Sequence, residues 1–309
     1  SYSFVTHEHT VLHKGIMFSG RDDKDFAAQD IETGKILWKF YAGSGSDTFN
    51  SNFSFHDGKV LFHSKRSTNC VDMESHKLVW KLKFTADLGS ENGVVWNNYY
   101  IVQSVSRNNP TLNYINIDTG EVERQIKLTS EYSDNAKVVG MSYADVFPWG
   151  DQIWYKSRNG HICCIDLVKG ERIEVAFKGC GCTDPWAIGS ADHIILNDKM
   201  YMLAVGGGLE HGWYKFGQDM QLELVALTAD ANMSGFGSYS CNYRVTAFTD
   251  RDTSKSRINI LEVTTGEYQS IEIHEAKDLK CAMLYGDKLI LTDCTGDNGE
   301  ATIHIFLCS

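Results

Sequence analysis

A short polar turn recurs along this chain, and its spacing limits the possible folds more than any other feature. Asp30-Ile31-Glu32-Thr33-Gly34-Lys35 is flanked on both sides by apolar or alternating residues, as far as Trp38. Gly34 is free to take the positive φ that other residues resist, so the segment reads as a tight hairpin between short strands. Val71-Asp72-Met73-Glu74-Ser75-His76-Lys77-Leu78-Val79-Trp80 repeats it with the Asp, the Lys and the Trp in place. Asn116-Ile117-Asp118-Thr119-Gly120 and Ile165-Asp166-Leu167-Val168-Lys169-Gly170 keep the Asp and the Gly, and Thr264-Thr265-Gly266-Glu267 keeps the turn core. The positions Gly34, His76, Gly120, Gly170 and Gly266 are 42, 44, 50 and 96 residues apart, the last being two steps of 48.

A period of about 40–50 residues built only from short strands is the mark of β-propeller blades. One such sheet cannot bury its two faces alone, so neighbours must stack around an axis. A second hairpin, earlier in each unit, sets the count. Its strands begin near Ile16, Val60, Tyr100, Ile153, Met200, Arg244 and Leu289, in steps of 44, 40, 53, 47, 44 and 45. The expectation is an all-β, seven-bladed propeller of four-stranded antiparallel blades, one domain over 1–309, monomeric. The last unit ends on a third strand near Thr302–Leu307, so Tyr2-Ser3-Phe4-Val5 is expected to supply its outer strand and close the ring.

Composition excludes several classes. Lys and Arg number 29 against 40 Asp and Glu, a net charge of −11, which disfavours a nucleic-acid surface. The same charge suits a basic protein partner or plain solubility. No apolar run is long enough to span a membrane as a helix, and the N-terminal residues lack the basic and apolar regions of a signal peptide. Nine cysteines without framework spacing fit reduced thiols, hence a cytoplasmic location.

Ala28-Gln29-Asp30-Ile31-Glu32-Thr33-Gly34-Lys35-Ile36-Leu37-Trp38 resembles the Ala-x-Asp-x-x-Thr-Gly-Lys-x-x-Trp repeat of the pyrroloquinoline-quinone-like (PQQ-like) propellers. The resemblance implies the propeller and, for a stand-alone member, no quinone site. Quinoproteins of that superfamily are about twice as long and set a vicinal disulfide against the cofactor. Here Cys163-Cys164 lies within a strand, where successive side chains face opposite ways, so both sulfurs are expected in the core. Trp38 and Trp80 are expected to pack between adjacent blades.

Two long segments at the fifth blade carry aromatic side chains that a loop does not require: 178–187, with Asp184 and Trp186, and 206–217, with Glu210, His211, Trp213, Tyr214 and Phe216. Aromatic clusters on loops suit protein interfaces, and these residues are the expected partner-binding set. The competing reading folds the rings back over the fifth blade. Cys180, Cys182 and His211 lack a fourth ligand and regular zinc spacing, and the acidic segments at 22–25 and 293–300 depart from calcium-loop patterns. No cofactor or metal is expected. The chain has no Gly-x-Ser-x-Gly elbow and no His-Glu-x-x-His. The expected function is therefore non-catalytic binding of a protein partner through an acidic, aromatic-bearing face. One setting is an immunity protein masking a basic toxin or nuclease. The alternative is a hydrolase or lyase with a scattered site at the channel mouth, drawing on residues such as Tyr143, Asp145, Asp184 and His211.

Overall fold

The computed structural model describes residues 10–20, 25–41, 53–88, 93–105, 111–127, 141–157, 162–173, 175–179, 188–206, 209–227, 238–250, 253, 255–274, 279–293 and 302–307. They fall into two compact units, one within His7–Glu174 and one within Val175–Ser309. Every regular element among them is a strand, and the strands form seven antiparallel sheets, the blades of a seven-bladed β-propeller.

The first unit holds four blades. Blade 1 comprises Thr10–His13, Ile16–Gly20, Asp25–Asp30 and Ile36–Tyr41; blade 2 comprises Ser54–His56, Lys59–His63, Ser67–Asp72 and Leu78–Lys83. Blade 3 comprises Val94–Trp96, Tyr99–Val105, Thr111–Asn116 and Val122–Lys127, with Asp87–Leu88 added beside its second strand. Blade 4 comprises Met141–Trp149, Gln152–Ser157, Ile162–Asp166 and Glu171–Ile173. The second unit holds blade 5 (Ile188–Leu196, Lys199–Gly206, Leu209–Phe216, Glu223–Leu227) and blade 6 (Ser238–Ser240, Tyr243–Thr249, Ser256–Glu262, Tyr268–Ile273). Blade 7 shows Leu279–Tyr285, Lys288–Asp293 and Thr302–Leu307. In each sheet the strands lie in chain order, from inner to outer. The outer strand expected from Tyr2–Val5 lies outside the described residues.

The recurrent turn is built by its first residue. Asp30 Oδ1 accepts hydrogen bonds from the Thr33 hydroxyl (2.7 Å), the Thr33 amide (2.7 Å) and the Glu32 amide (3.1 Å). Asp72 does the same for the Ser75 amide and hydroxyl, Asn116 for the amides of Asp118 and Thr119, and Asp166 for those of Val168 and Lys169. In blade 6 the longer Glu262 reaches the hydroxyls of Thr264 and Thr265. A side chain that mimics a backbone turn in this way fixes the loop locally. The hydroxyl donors also hold the Asp30 and Asp72 carboxyls below the usual range. The chain then leaves through a left-handed residue: Gly34, Gly120, Gly170 and Gly266 at φ 68°, 74°, 77° and 80°, and His76 at 58°.

That left-handed residue matters because it docks on the blade before it. His76 of blade 2 stacks on Trp38 of blade 1, with ring centroids 4.9 Å apart. A Cβ on Gly120 of blade 3 would stand 2.6 Å from Trp80 Cγ of blade 2, and the Trp80 indole donates to Ile117 O at 2.7 Å. A Cβ on Gly170 of blade 4 would stand 2.5 Å from Arg124 Nη2, and Arg124 donates to the carbonyls of Leu167 and Val168. The tryptophans therefore pack between blades, as their place on the outer strand suggests.

The interior follows from strand alternation. Phe18, Phe26, Trp38, Phe53 and Phe62 fill the space between blades 1 and 2, with Phe26 edge-on to Trp38 and Phe62 at 5.3 and 5.1 Å. Cys163 packs with Leu112, Tyr114 and Ile165 between blades 3 and 4, whereas Cys164, the next residue, is buried outside that cluster. The two form no disulfide, and burial pushes the Cys164 thiol up to about 12.

Candidate interaction surface

The segment expected to form a long aromatic loop in blade 5 is a strand. Leu209–Phe216 is the third strand of that blade, paired with Lys199–Gly206 on one side and Glu223–Leu227 on the other. Trp213 is fully buried and packs with Tyr201, Leu203, Leu261 and Val263 between blades 5 and 6, with the Arg244 guanidinium 5.8 Å from its ring. Phe216 is buried against the edge of Phe177, and the buried Tyr214 donates its hydroxyl to Glu210 O at 2.9 Å. Trp213, Tyr214 and Phe216 are thus blade core, which corrects their assignment as surface contacts. A central strand covered on both faces carries apolar side chains without alternation, and Trp-Tyr-Lys-Phe is such a run. Glu210 is exposed at the start of the strand, and His211 follows it on the same strand. Asp184 and Trp186 lie outside the described residues, as do Cys180 and Cys182.

Several conspicuous surface side chains of the first unit tie one blade to the next. Lys59 of blade 2 pairs with Asp118 of blade 3, which also accepts from Asn98 Nδ2 at 2.8 Å. The Lys59 and Asn98 donors hold the Asp118 carboxyl below its usual range, and the Asp118 partner raises Lys59. Trp96 donates to Asp151 of blade 4, and His13 of blade 1 stacks on Phe55 of blade 2 at 4.0 Å. The Arg66 guanidinium of blade 2, followed by Lys65, holds the carboxyl of Asp87, on the short strand added to blade 3, below its usual range. Tyr143 and Asp145 lie on the inner strand of blade 4.

Apolar side chains left in water concentrate on the outer strands. Ile36, Leu37 and Tyr41 are exposed on blade 1, and Leu78 and Val79 on blade 2. Leu224 and Leu227 are exposed on blade 5, and Tyr268 and Ile271 on blade 6. The outer strands of blades 1, 2, 3 and 5 each carry a bulge. Gln29 faces Ile36 and Ala28 faces Trp38, so Leu37 is an extra residue; Val79, Glu123 and Val225 are the extras of blades 2, 3 and 5. In blades 1 and 2 the two consecutive residues at the bulge, Ile36-Leu37 and Leu78-Val79, are both large, apolar and exposed.

No family model matches this sequence, and no curated protein sequence does. Solved structures match over nearly the whole chain at low identity. The β-propeller domain of Cps50 (Swd1) from Myceliophteria thermophila aligns with a TM-score of 0.66 at 15% identity, covering 98% of this chain and 96% of that one. The WD40 domain of Pan2 from Neurospora crassa aligns at 0.64 and 11%, covering 96% and 88%. BamB from Moraxella catarrhalis aligns at 0.56 and 13%, covering 97% and 84%. These likenesses establish the propeller fold.

Proposed function

We propose that the protein is a protein-binding propeller that acts by occupying a basic partner rather than by catalysis. The observation that carries this reading is the display of large apolar side chains, Leu224, Leu227, Tyr268 and Ile271, on the outer strands of blades 5 and 6, since exposed apolar surface marks interaction sites. Propellers commonly serve as interaction scaffolds, although fold alone does not fix function. The sign of the partner rests on the net charge of −11. Asp184, Trp186, Glu210 and His211 remain the proposed contacts of the loop face once the buried rings are set aside. A basic toxin or nuclease held inactive by an immunity protein is the setting that fits this charge. The matching turns at Asp30–Trp38 and Asp72–Trp80 support a place among stand-alone PQQ-like propellers without a quinone. The buried thiols of Cys70, Cys163 and Cys164 support a reducing compartment such as the cytoplasm.

The test is a titration of the purified chain with the product of the adjacent gene, followed by calorimetry. A Glu210→Lys, Trp186→Ala double variant is expected to bind at least about tenfold more weakly, a loss of about 1.4 kcal/mol. Unchanged affinity would place the contact elsewhere.

A further inference from the structure

One patch of this acidic protein has the opposite sign. The outer strands of blades 1 and 2, each with its preceding lysine, read Lys35-Ile36-Leu37-Trp38-Lys39-Phe40-Tyr41 and Lys77-Leu78-Val79-Trp80-Lys81-Leu82-Lys83. They hold five lysines and no carboxylate. Lys35, Lys39, Lys77 and Lys83 are exposed, and among the described residues no carboxylate forms an ion pair with their ammonium groups. Blades 5 and 6 differ: Glu223 of the one outer strand is neutralised by Lys215 at 3.0 Å, and Glu272 of the other by Lys255 at 3.3 Å.

Between the unpaired lysines stand large apolar side chains in water: Ile36 is 39% exposed, Leu37 44%, Tyr41 63%, Leu78 46% and Val79 44%. The two strands form one surface, because Trp38 at the centre of the first stacks on His76, the residue before Lys77. Lysines on an edge strand can guard against unwanted sheet pairing. That role does not account for five large apolar side chains kept beside them. The bulges at Leu37 and Val79 interrupt the backbone pattern, so a partner engages side chains here rather than adding a strand.

We infer that this rim is a docking surface for an acidic, apolar-bearing segment of a partner protein, distinct from the basic partner proposed above. Carboxylates of the segment pair with Lys35, Lys39, Lys77 and Lys83, and its apolar side chains cover Ile36, Leu37, Leu78 and Val79. Exposed pairs of this kind give a contact that weakens as salt rises.

The test uses the full chain and three short fluorescent peptides, alternating Glu with Leu, Glu with Ser, and Lys with Leu, read by anisotropy at low and moderate salt. The Glu-Leu peptide is expected to bind, the Glu-Ser peptide at least about tenfold more weakly, and the Lys-Leu peptide not at all. The fourfold variant Lys35→Glu, Lys39→Glu, Lys77→Glu, Lys83→Glu should lose at least about tenfold in affinity for the Glu-Leu peptide. Lys199→Glu, exposed at the start of the second strand of blade 5, should leave it unchanged. The fourfold Lys→Gln variant repeats the measurement without charge reversal, and a thermal melt of each variant reports folding. Failure of the Glu-Leu peptide to bind, equal binding of the Lys-Leu peptide, or unchanged affinity in both lysine variants overturns the inference. Sedimentation with phosphatidylserine vesicles through the same lysines, without peptide binding, overturns it in favour of a lipid surface. None of these outcomes bears on the basic partner, whose proposed contacts lie on blade 5 and the segment before it.

Discussion

The contact between blades 2 and 3 and the contact between blades 5 and 6 have the same backbone plan and very different side chains. In the first, the left-handed Gly120 rests on the indole of Trp80, whose N–H closes on Ile117 O. In the second, Gly266 rests on Ala226, where a Cβ would stand 2.5 Å from the alanine methyl and 3.1 Å from Val225 O. Glycine is required at both places, for φ and for space. The large ring is required at neither. A close approach of the turn is thus the constant of these contacts, and the side chain beneath the turn is the variable. Trp38 with His76 and Arg124 with Gly170 are two further solutions to the same slot.

This comparison predicts a graded series in urea or thermal melts. The largest effect is expected from Trp38→Ala, which empties a slot lined by Phe18 and Phe26 and should cost about 3–4 kcal/mol. Ala226→Gly, the corresponding deletion in blade 5, should cost about 1 kcal/mol; equal losses would mean that a ring beneath the turn contributes no more than a methyl group. Gly120→Ala comes next at about 2–3 kcal/mol, since its Cβ meets a ring and its φ is left-handed. Gly58→Ala, left-handed but facing open space, should cost about 1 kcal/mol, which isolates the steric part. Arg124→Ala should cost about 1 kcal/mol, because the Leu167 carbonyl keeps the Tyr114 hydroxyl as a donor.

The smallest expected effect is the pH-dependent one, at the surface tie between blades 2 and 3. Asp118 is depressed in the folded state, so its contribution is complete above 3.8 and lost as pH falls through the lower folded value. Lys59 is raised, so its contribution is complete below 10.5 and lost as pH rises through the higher folded value. The difference in Tm between the natural chain and Asp118→Asn should therefore be greatest between those two pH values and shrink on either side. A difference that persists unchanged at pH 2 would mean that charge is not its source.

The same contrast explains what could be read beforehand. Blades 1 and 2 announce themselves because Asp30 and Asp72 shape the turn and Trp38 and Trp80 fill the slot, and such residues leave a fixed spacing in the sequence. The vicinal cysteines were legible for a similar reason, since alternation along a strand settles where Cys163 and Cys164 point. Blade 5 hides. Its last turn runs Gly217-Gln218-Asp219-Met220-Gln221-Leu222, with Met220 at φ 58° and the Lys178 backbone bonded to Met220 O and Leu222 N. Asp219 Oδ1 accepts from the Gln221 amide, but the turn lacks the Asp-to-Gly spacing of the others, so the strand before it, with Trp213, Tyr214 and Phe216, reads as a loop. The cue was the run of aromatic residues, which needs cover on both faces. The lysine rim was missed because each lysine is ordinary alone; only the pairing of two outer strands by the Trp38–His76 stack makes it a surface.

The docking of each left-handed residue on the blade before it has a direction. His76 rests on Trp38, Gly120 on Trp80, Gly170 on Arg124 and Gly266 on Ala226; in each of these four pairs the platform precedes its load in the chain. On the ribosome, each platform therefore emerges before the turn that settles on it, and order can spread from the amino end as synthesis proceeds. A nascent chain halted after blade 3 would already hold two finished joints, whereas one deprived of blade 1 would begin with His76 lacking the Trp38 ring it stacks on.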